Sequence, residues 1–298
     1  MARRGKPAAE VYHDRVAGIY DTIYDGDSYW EAVFDLTWRN ITRHLPRDLG
    51  TRCLDIGCGT GRWGLKLMRS GYRVDFLDIS GKMLDQVAKK LSALGIPWRV
   101  AEAMPGSLGP IPPLSQGVST LWHATVDDVS ALPAGTYGFL VGQGDPLCAA
   151  EKPERAMKGL TKLLAPGGVM VMSVDNRLQG IYHFLKEGDV AGLERFLRTG
   201  KTEWVTDEAA ERYPLTMFTP EGIRGMCRTR GLTLLGLIGK TVLPLRRFKA
   251  LLSDPAKREA LLRLEESWHG EEAMLANAAH LDFAARAGVD AESDCGSR

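Results

Sequence analysis

The sequence predicts an α/β protein: a doubly wound, seven-stranded, mostly parallel sheet with a helical N-terminal segment and an inserted helical cap. Three observations carry this. Apolar strand-like runs alternate with amphipathic helical stretches from residue 51 to 174, the order that builds a parallel sheet covered on both faces. Residues 53–64, CLDIGCGTGRWG, place Gly57, Gly59 and Gly61 between a strand and a helix, where the backbone can turn sharply and approach a ligand closely. Residues 72–80, YRVDFLDIS, form the next strand pattern and carry Asp78, 21 positions after Gly57. A glycine turn followed by an acid about 20 residues on is how such a sheet holds a nucleoside, backbone at one end and carboxylate on the ribose.

The elements follow in order. Residues 10–45 hold apolar positions at helical spacing, among them Val33, Leu36 and Ile41, and predict one or two helices. Residues 51–57 are strand one, 61–70 the first core helix and 72–79 strand two. Ser80 is placed to cap a helix running to about Leu94. Residues 95–118, with five prolines, read as an irregular excursion. The sheet resumes at 119–126 and 136–142. A helix fits 151–164, and the Pro-Gly-Gly at 166–168 turns into a strand over 169–174.

Residues 177–230 are charged, helical and punctuated by glycine, and read as a cap. Thr219-Pro220-Glu221 is a helix start. Two late strands, 232–238 and 280–286, flank a helical excursion at 245–275. The division expected is 1–45 as the N-terminal segment, 46–176 as the core, 177–230 as the cap, 231–288 completing the core, and 289–298 as a flexible tail.

Composition limits the function classes. Apolar residues make up 44% of 298 and charged residues 25%, with a net charge of +1. Near-neutrality argues against a nucleic-acid surface. No apolar run reaches 18 residues, so no membrane span is expected. Cysteines 53, 58, 148, 227 and 295 are scattered without a CxxC, which suggests reduced thiols in a cytoplasmic protein. The histidines at 13, 44, 123, 183, 269 and 280 show no metal-ligand spacing, so no metal is expected. The chain reads as a monomer or homodimer.

The loop departs from the dinucleotide pattern GxGxxG, because Arg62 takes its third glycine position. Its form, Asp55-x-Gly57-x-Gly59-x-Gly61, resembles motif I of the class I S-adenosylmethionine (SAM) methyltransferases. The resemblance covers about residues 50–180. It implies SAM as cofactor and S-adenosylhomocysteine as product. By that likeness Asp55, Gly57, Cys58, Gly59 and Gly61 form the loop at the methionine end. Asp78 holds the ribose hydroxyls, and Ile79 and Met83 meet the adenine. Asp128 and Val129, ahead of Leu132-Pro133, resemble the adenine-edge element, with Asp127 and Glu102 as alternatives to Asp128.

Residues 139–146, FLVGQGDP, resemble the strand that ends beside the methyl group, which places Gly142, Gln143 and Asp145 near the reaction centre. Asp145 either meets substrate or caps the next helix. Asp175-Asn176 closes the following strand, on the side where such sheets bind ligands. His183 is the candidate general base, with Asp175 and Asp145 as substrate-side candidates beside the reaction. Tyr20 is read as touching the sulfonium, since aromatic faces attract cations. Tyr12, Tyr24, Tyr29 and Trp30 either join it or pack as core. Tyr182, Phe184, Trp204, Tyr213 and Phe218 line an acceptor pocket or form the core of the cap.

The reaction implied is transfer of a methyl group to a small organic acceptor, its receiving atom undetermined. The alternatives are an RNA or protein acceptor, which a basic, aromatic groove around Trp38, Arg39 and Arg43 would support, or binding of SAM without catalysis.

Overall fold

The computed structural model describes residues 5–104 and 117–289. The sequence-predicted tail from 290 onward, residues 1–4 and half of the 95–118 excursion (105–116) therefore lie outside the described residues. The strands are β1 (Arg52–Ile56), β2 (Arg73–Asp78), β3 (Trp98–Glu102), β4 (Ser119–His123), β5 (Tyr137–Gly142), β6 (Leu164–Asp175), β7 (Lys201–Trp204), β8 (Tyr213–Thr216), β9 (Thr233–Lys240) and β10 (His280–Arg286). Eight of them form one sheet in the order β3-β4-β2-β1-β5-β6-β10-β9, and β7 and β8 pair separately as a hairpin. Pairing is parallel from β3 through β6. β10 enters antiparallel between β6 and β9.

The sheet has one strand more than expected. Trp98–Glu102 pairs with β4 where the sequence reads as irregular. Its outer position explains the weak signal: Trp98 and Val100 are exposed on a short edge strand, so no apolar alternation marks it.

Helices α1 (Ala8–Val16), α2 (Ser28–Arg43), α3 (Arg62–Arg69) and α4 (Gly81–Ala93) precede β3, with α2, α3 and α4 against one face of the sheet. Helices α5 (Pro153–Leu163), α6 (Arg177–Glu187), α7 (Val190–Thr199), α8 (Pro220–Thr229), α9 (Lys249–Leu252), α10 (Pro255–Trp268) and α11 (Glu272–Leu275) follow. Of these, α5, α8 and α11 pack on the sheet. Burial on both faces is why the central strands read as continuous apolar runs: Leu54, Ile56, Leu140 and Val141 are completely enclosed. Caps fall where side chains supply them. Ser80 accepts from Met83 N at 3.1 Å, and Thr219 accepts from Gly222 N at 3.1 Å.

The 177–230 segment is not purely helical. Beyond α6 and α7 the chain forms the β7–β8 hairpin, and α8 returns to the sheet, with Ile223 and Met226 in its core. Phe184 and Phe196 pack with tilted rings, centroids 4.8 Å apart, between α6 and α7. Phe218 joins the main core, and Tyr182 is exposed.

Candidate active site

The strand ends on one side of the sheet converge on a cavity of about 390 Å³, within the ~300–1,000 Å³ common for small-molecule sites. Its base is the turn after β1. Gly57 and Gly59 adopt φ of 58° and 52°, a region that side chains disfavour, and both line the cavity with Cys58 and Thr60. A Cβ on Gly57 would lie 2.6 Å from Pro146 Cβ, so the two loops meet only because glycine is there.

Asp78 ends β2 beside this turn. Its Oδ2 accepts from Gly59 N at 2.8 Å and its Oδ1 from Ser80 N at 2.9 Å. Burial raises its pKa, with nearby His13 working the other way. Ile79, Leu77, Ala124, Thr125 and Val126 continue the wall past Asp78 as an apolar slot.

Helix α1 and the turn after it roof this half. Ser80 Oγ donates to Asp14 Oδ1 at 2.6 Å, and Thr60 Oγ1 donates to Asp21 Oδ1 at 2.5 Å. Tyr20, Tyr24, Trp30, Phe34 and Trp63 supply aromatic lining, while Tyr29 turns into the core and contacts Thr241. Burial pushes the Tyr20 phenol up, so it stays neutral.

The other half of the cavity is polar. Asp145 follows β5 with φ of 63°, rare for a residue with a side chain and an observable strain of ~1–3 kcal/mol. Ser173 holds it, its Oγ accepting from both Gly144 N and Asp145 N at 3.0 Å. Strand register then brings in a histidine. His280 pairs with Asp175 on β6 and with Lys240 on β9. Its Nδ1 lies 2.8 Å from Asp145 Oδ2 and 3.4 Å from Asp175 Oδ1.

Burial works against charging His280, but the two carboxylates outweigh it and raise its pKa. Burial alone would raise Asp145; His280 and Lys240 hold it below the usual range. Burial and then the charge of Asp145 push Asp175 up to about 7. Behind them, Lys240 Nζ contacts Asp282 at 2.9 Å and donates to Gln143 Oε1 at 2.9 Å and Thr37 Oγ1 at 3.1 Å. Gln143 Nε2 and Asp145 Oδ1 are buried without a partner.

Several sequence-predicted positions lie elsewhere. Asp128 faces away from the cavity and binds Ser130 through both its N–H and hydroxyl. Val129 is core. Asp127 accepts from Glu151 N and Lys152 N at 3.0 Å, ahead of α5, and this anchoring holds Asp127 and Asp128 off the cavity. Glu102, the other alternative, pairs with His123 at 2.8 Å. Thr125 and Val126 line the cavity, and Asp128 and Val129 do not.

Asp55 is fully buried beneath the loop, accepting from Gly64 N at 2.7 Å, and burial pushes it up to about 8. Gly61 starts α3, Met83 packs under Val16 and Ala17, and Gly142 lies against Met172; these three do not line the cavity. His183 is exposed on α6, away from the cavity, which corrects its reading as the base. The histidine beside Asp145 and Asp175 is His280. As the polar first residue of an apolar strand pattern, LDFAA, it carried one faint signal. His13, Ser173 and Lys240 were also unanticipated.

Residues 29–237 match the family model described as a methyltransferase domain. A histidine protein methyltransferase 1 homolog from Rattus norvegicus is 34% identical over 77 residues, 26% of this chain and 20% of that protein. A ubiquinone/menaquinone biosynthesis C-methyltransferase from Desulfotalea psychrophila is 28% identical over 152 residues, 49% of this chain and 59% of its own length. The chain thus spans about a fifth to three-fifths of these curated relatives. The structure of a SAM-dependent methyltransferase from Mesorhizobium loti superposes with a TM-score of 0.53 at 20% identity, covering 84% of this chain and 97% of that one. The chain belongs to the methyltransferase domain family, and its fold is that of the solved SAM-dependent methyltransferase it superposes on.

Proposed function

We propose that this family member transfers the methyl group of SAM to a small organic acceptor held in the polar half of the cavity. The observation that carries the reading is continuity: one roofed cavity runs from the glycine turn and Asp78 to Asp145, Asp175 and His280. The residues fit the cofactor. The Gly57–Gly59 backbone offers close approach, and the Asp78 carboxylate sits at the strand end where a ribose diol is recognised. The Leu77–Ile79 and Ala124–Val126 walls suit a flat apolar ring, and the Tyr20 and Tyr24 rings suit a cationic centre.

When bound, SAM supplies an electrophilic methyl on a sulfonium whose sulfur leaves as a neutral thioether. The protein's contribution is then largely positional. Asp145 and Asp175 hold the acceptor by its protons and take one where the acceptor must lose it. Helix α1 and the hairpin exclude water by covering the cavity: Tyr12 meets Trp204 edge-on at 5.7 Å, and Arg15 pairs with Glu211. Among the described residues no helix is long and apolar enough to cross a membrane.

Calorimetric titration with S-adenosylhomocysteine, beside NAD as control, tests the cofactor half. Micromolar affinity lost in Asp78→Ala is the expected result, and binding of NAD instead would overturn it. Transfer of label from methyl-tritiated SAM to small-molecule pools, with none to protein or RNA, tests the acceptor class.

A further inference from the structure

The geometry points to an amine as the acceptor, bound as its ammonium ion between the Asp145–Asp175–His280 cluster and the aromatic wall of Tyr213, Trp204 and Tyr12. This assignment rests on the methyltransferase reading above and narrows it.

Charge balance is the first argument. The groups that face one another here come from four elements: Asp145 after β5, Asp175 on β6, Lys240 on β9, and His280 and Asp282 on β10. Fully ionised, three carboxylates stand against two cations and leave one negative charge without a counter-ion. Lys240 is already engaged by Asp282, Gln143 and Thr37. The deficit is therefore on the cavity side, at Asp145 and Asp175. An excess buried charge is costly unless a proton or a cation neutralises it. The upward shift of Asp175 is the first of those responses; a bound ammonium is the second.

Unmet hydrogen bonding is independent of that count. Asp145 lines the cavity, and its Oδ1 is buried without a well-formed hydrogen bond. Gln143, only 6% exposed, also lines the cavity and has a buried Nε2 without a partner. The first asks for an N–H from the ligand. The second asks for an oxygen, on the cofactor or on the acceptor.

The third argument is the wall opposite. Tyr213 and Trp204 lie stacked at 6.2 Å and Tyr12 meets both, all three lining the cavity. Tyr213 is close enough to Asp175 for its phenol to be pushed up by that charge after burial. Aromatic faces beside carboxylates recognise organic cations. A bare divalent ion gains little from such faces and meets the Lys240 ammonium nearby.

The chemistry balances. The ammonium gives one N–H proton to the Asp175 carboxylate and becomes a neutral amine with a free lone pair. That pair forms the N–C bond to the methyl carbon while the C–S electron pair stays on the departing sulfur. The product is a methylated ammonium, and the proton on Asp175 passes to solvent.

Phenethylamine and its isostere 2-phenylethanol separate the outcomes, each titrated into the protein saturated with S-adenosylhomocysteine. The expected result is amine binding roughly tenfold to a hundredfold tighter than alcohol, with the preference lost in Asp145→Asn while S-adenosylhomocysteine affinity stays within about twofold. Equal or tighter binding of the alcohol overturns the assignment. So does label transfer to pooled phenols and alcohols but not to pooled amines, or an acceptor affinity that EDTA abolishes and magnesium restores. Failure to bind S-adenosylhomocysteine at all would instead strike the methyltransferase reading itself.

Discussion

Arg15 of α1 grips Glu211 beyond the β7 strand, Nε to Oε1 at 2.5 Å and Nη2 to Oε2 at 2.7 Å. The pair joins the N-terminal roof of the cofactor half to the hairpin over the acceptor half. Arg15 is half exposed while Glu211 is enclosed, so truncating the arginine leaves a covered carboxylate without its partner. Arg15→Ala should therefore raise the dissociation rate of S-adenosylhomocysteine, by about two- to tenfold, with little change in association. Stopped-flow fluorescence reads both rates, and an unchanged off-rate would show that the roof holds without this latch.

Asp78 sits where two backbone donors and the cavity meet. Asp78→Ala removes the acceptor for Gly59 N and Ser80 N as well as the one offered to ligand. At about 1.5–3 kcal/mol per bond to a charged group, cofactor affinity should fall roughly tenfold to a thousandfold. Calorimetry checks this, and an unaltered dissociation constant would place the ribose elsewhere.

Lys240 and Asp282 are both almost wholly buried, 6% and 0% exposed. Removing one partner of such a pair costs about 3–5 kcal/mol because the other charge remains enclosed. Lys240→Met should lower the unfolding free energy by that amount, and Lys240→Met with Asp282→Leu should recover much of it. Urea unfolding of the three proteins gives the comparison.

The pH profile follows from Asp175, whose pKa burial and Asp145 raise to about 7. Below that pH the carboxyl is protonated and cannot accept a proton from the acceptor; above it the carboxylate can. Turnover under subsaturating acceptor should climb through about pH 7 and level off. The rise should flatten in Asp175→Asn, read from initial rates across pH 5.5–8.5 (about three units spanning that pKa).

Gly64 tests the packing under the loop. A Cβ there would come within 2.2 Å of Phe76 Cε1 and 2.9 Å of Asp55 Oδ2. Overpacking of this kind costs about 1–3 kcal/mol. Gly64→Ala should show a matching loss in thermal unfolding, and wild-type stability would mean that Phe76 moves aside freely.

Features that local backbone chemistry controls are legible in the chain. The turn at 57–61, the acid at 78 and the cap at Ser80 depend on residues a few positions apart, so their types reveal their places in the fold. Asp145 and Asp175 were legible for a similar reason, since each ends a strand of a parallel sheet. Tertiary structure alone decided their partner. His280 lies far along the chain and reaches Asp175 because β10 inserts antiparallel between β6 and β9, a register that no local pattern encodes.

The same holds for the misplaced positions. Asp127 and Asp128 are equivalent as a dipeptide, and the start of α5 drew Asp127 to itself and turned both from the cavity. His183 lies off the Leu178, Ile181 and Leu185 row of its helix, and packing left it in solvent. Strand β3 escaped notice because an edge strand with one open face does not need the alternation by which strands are read.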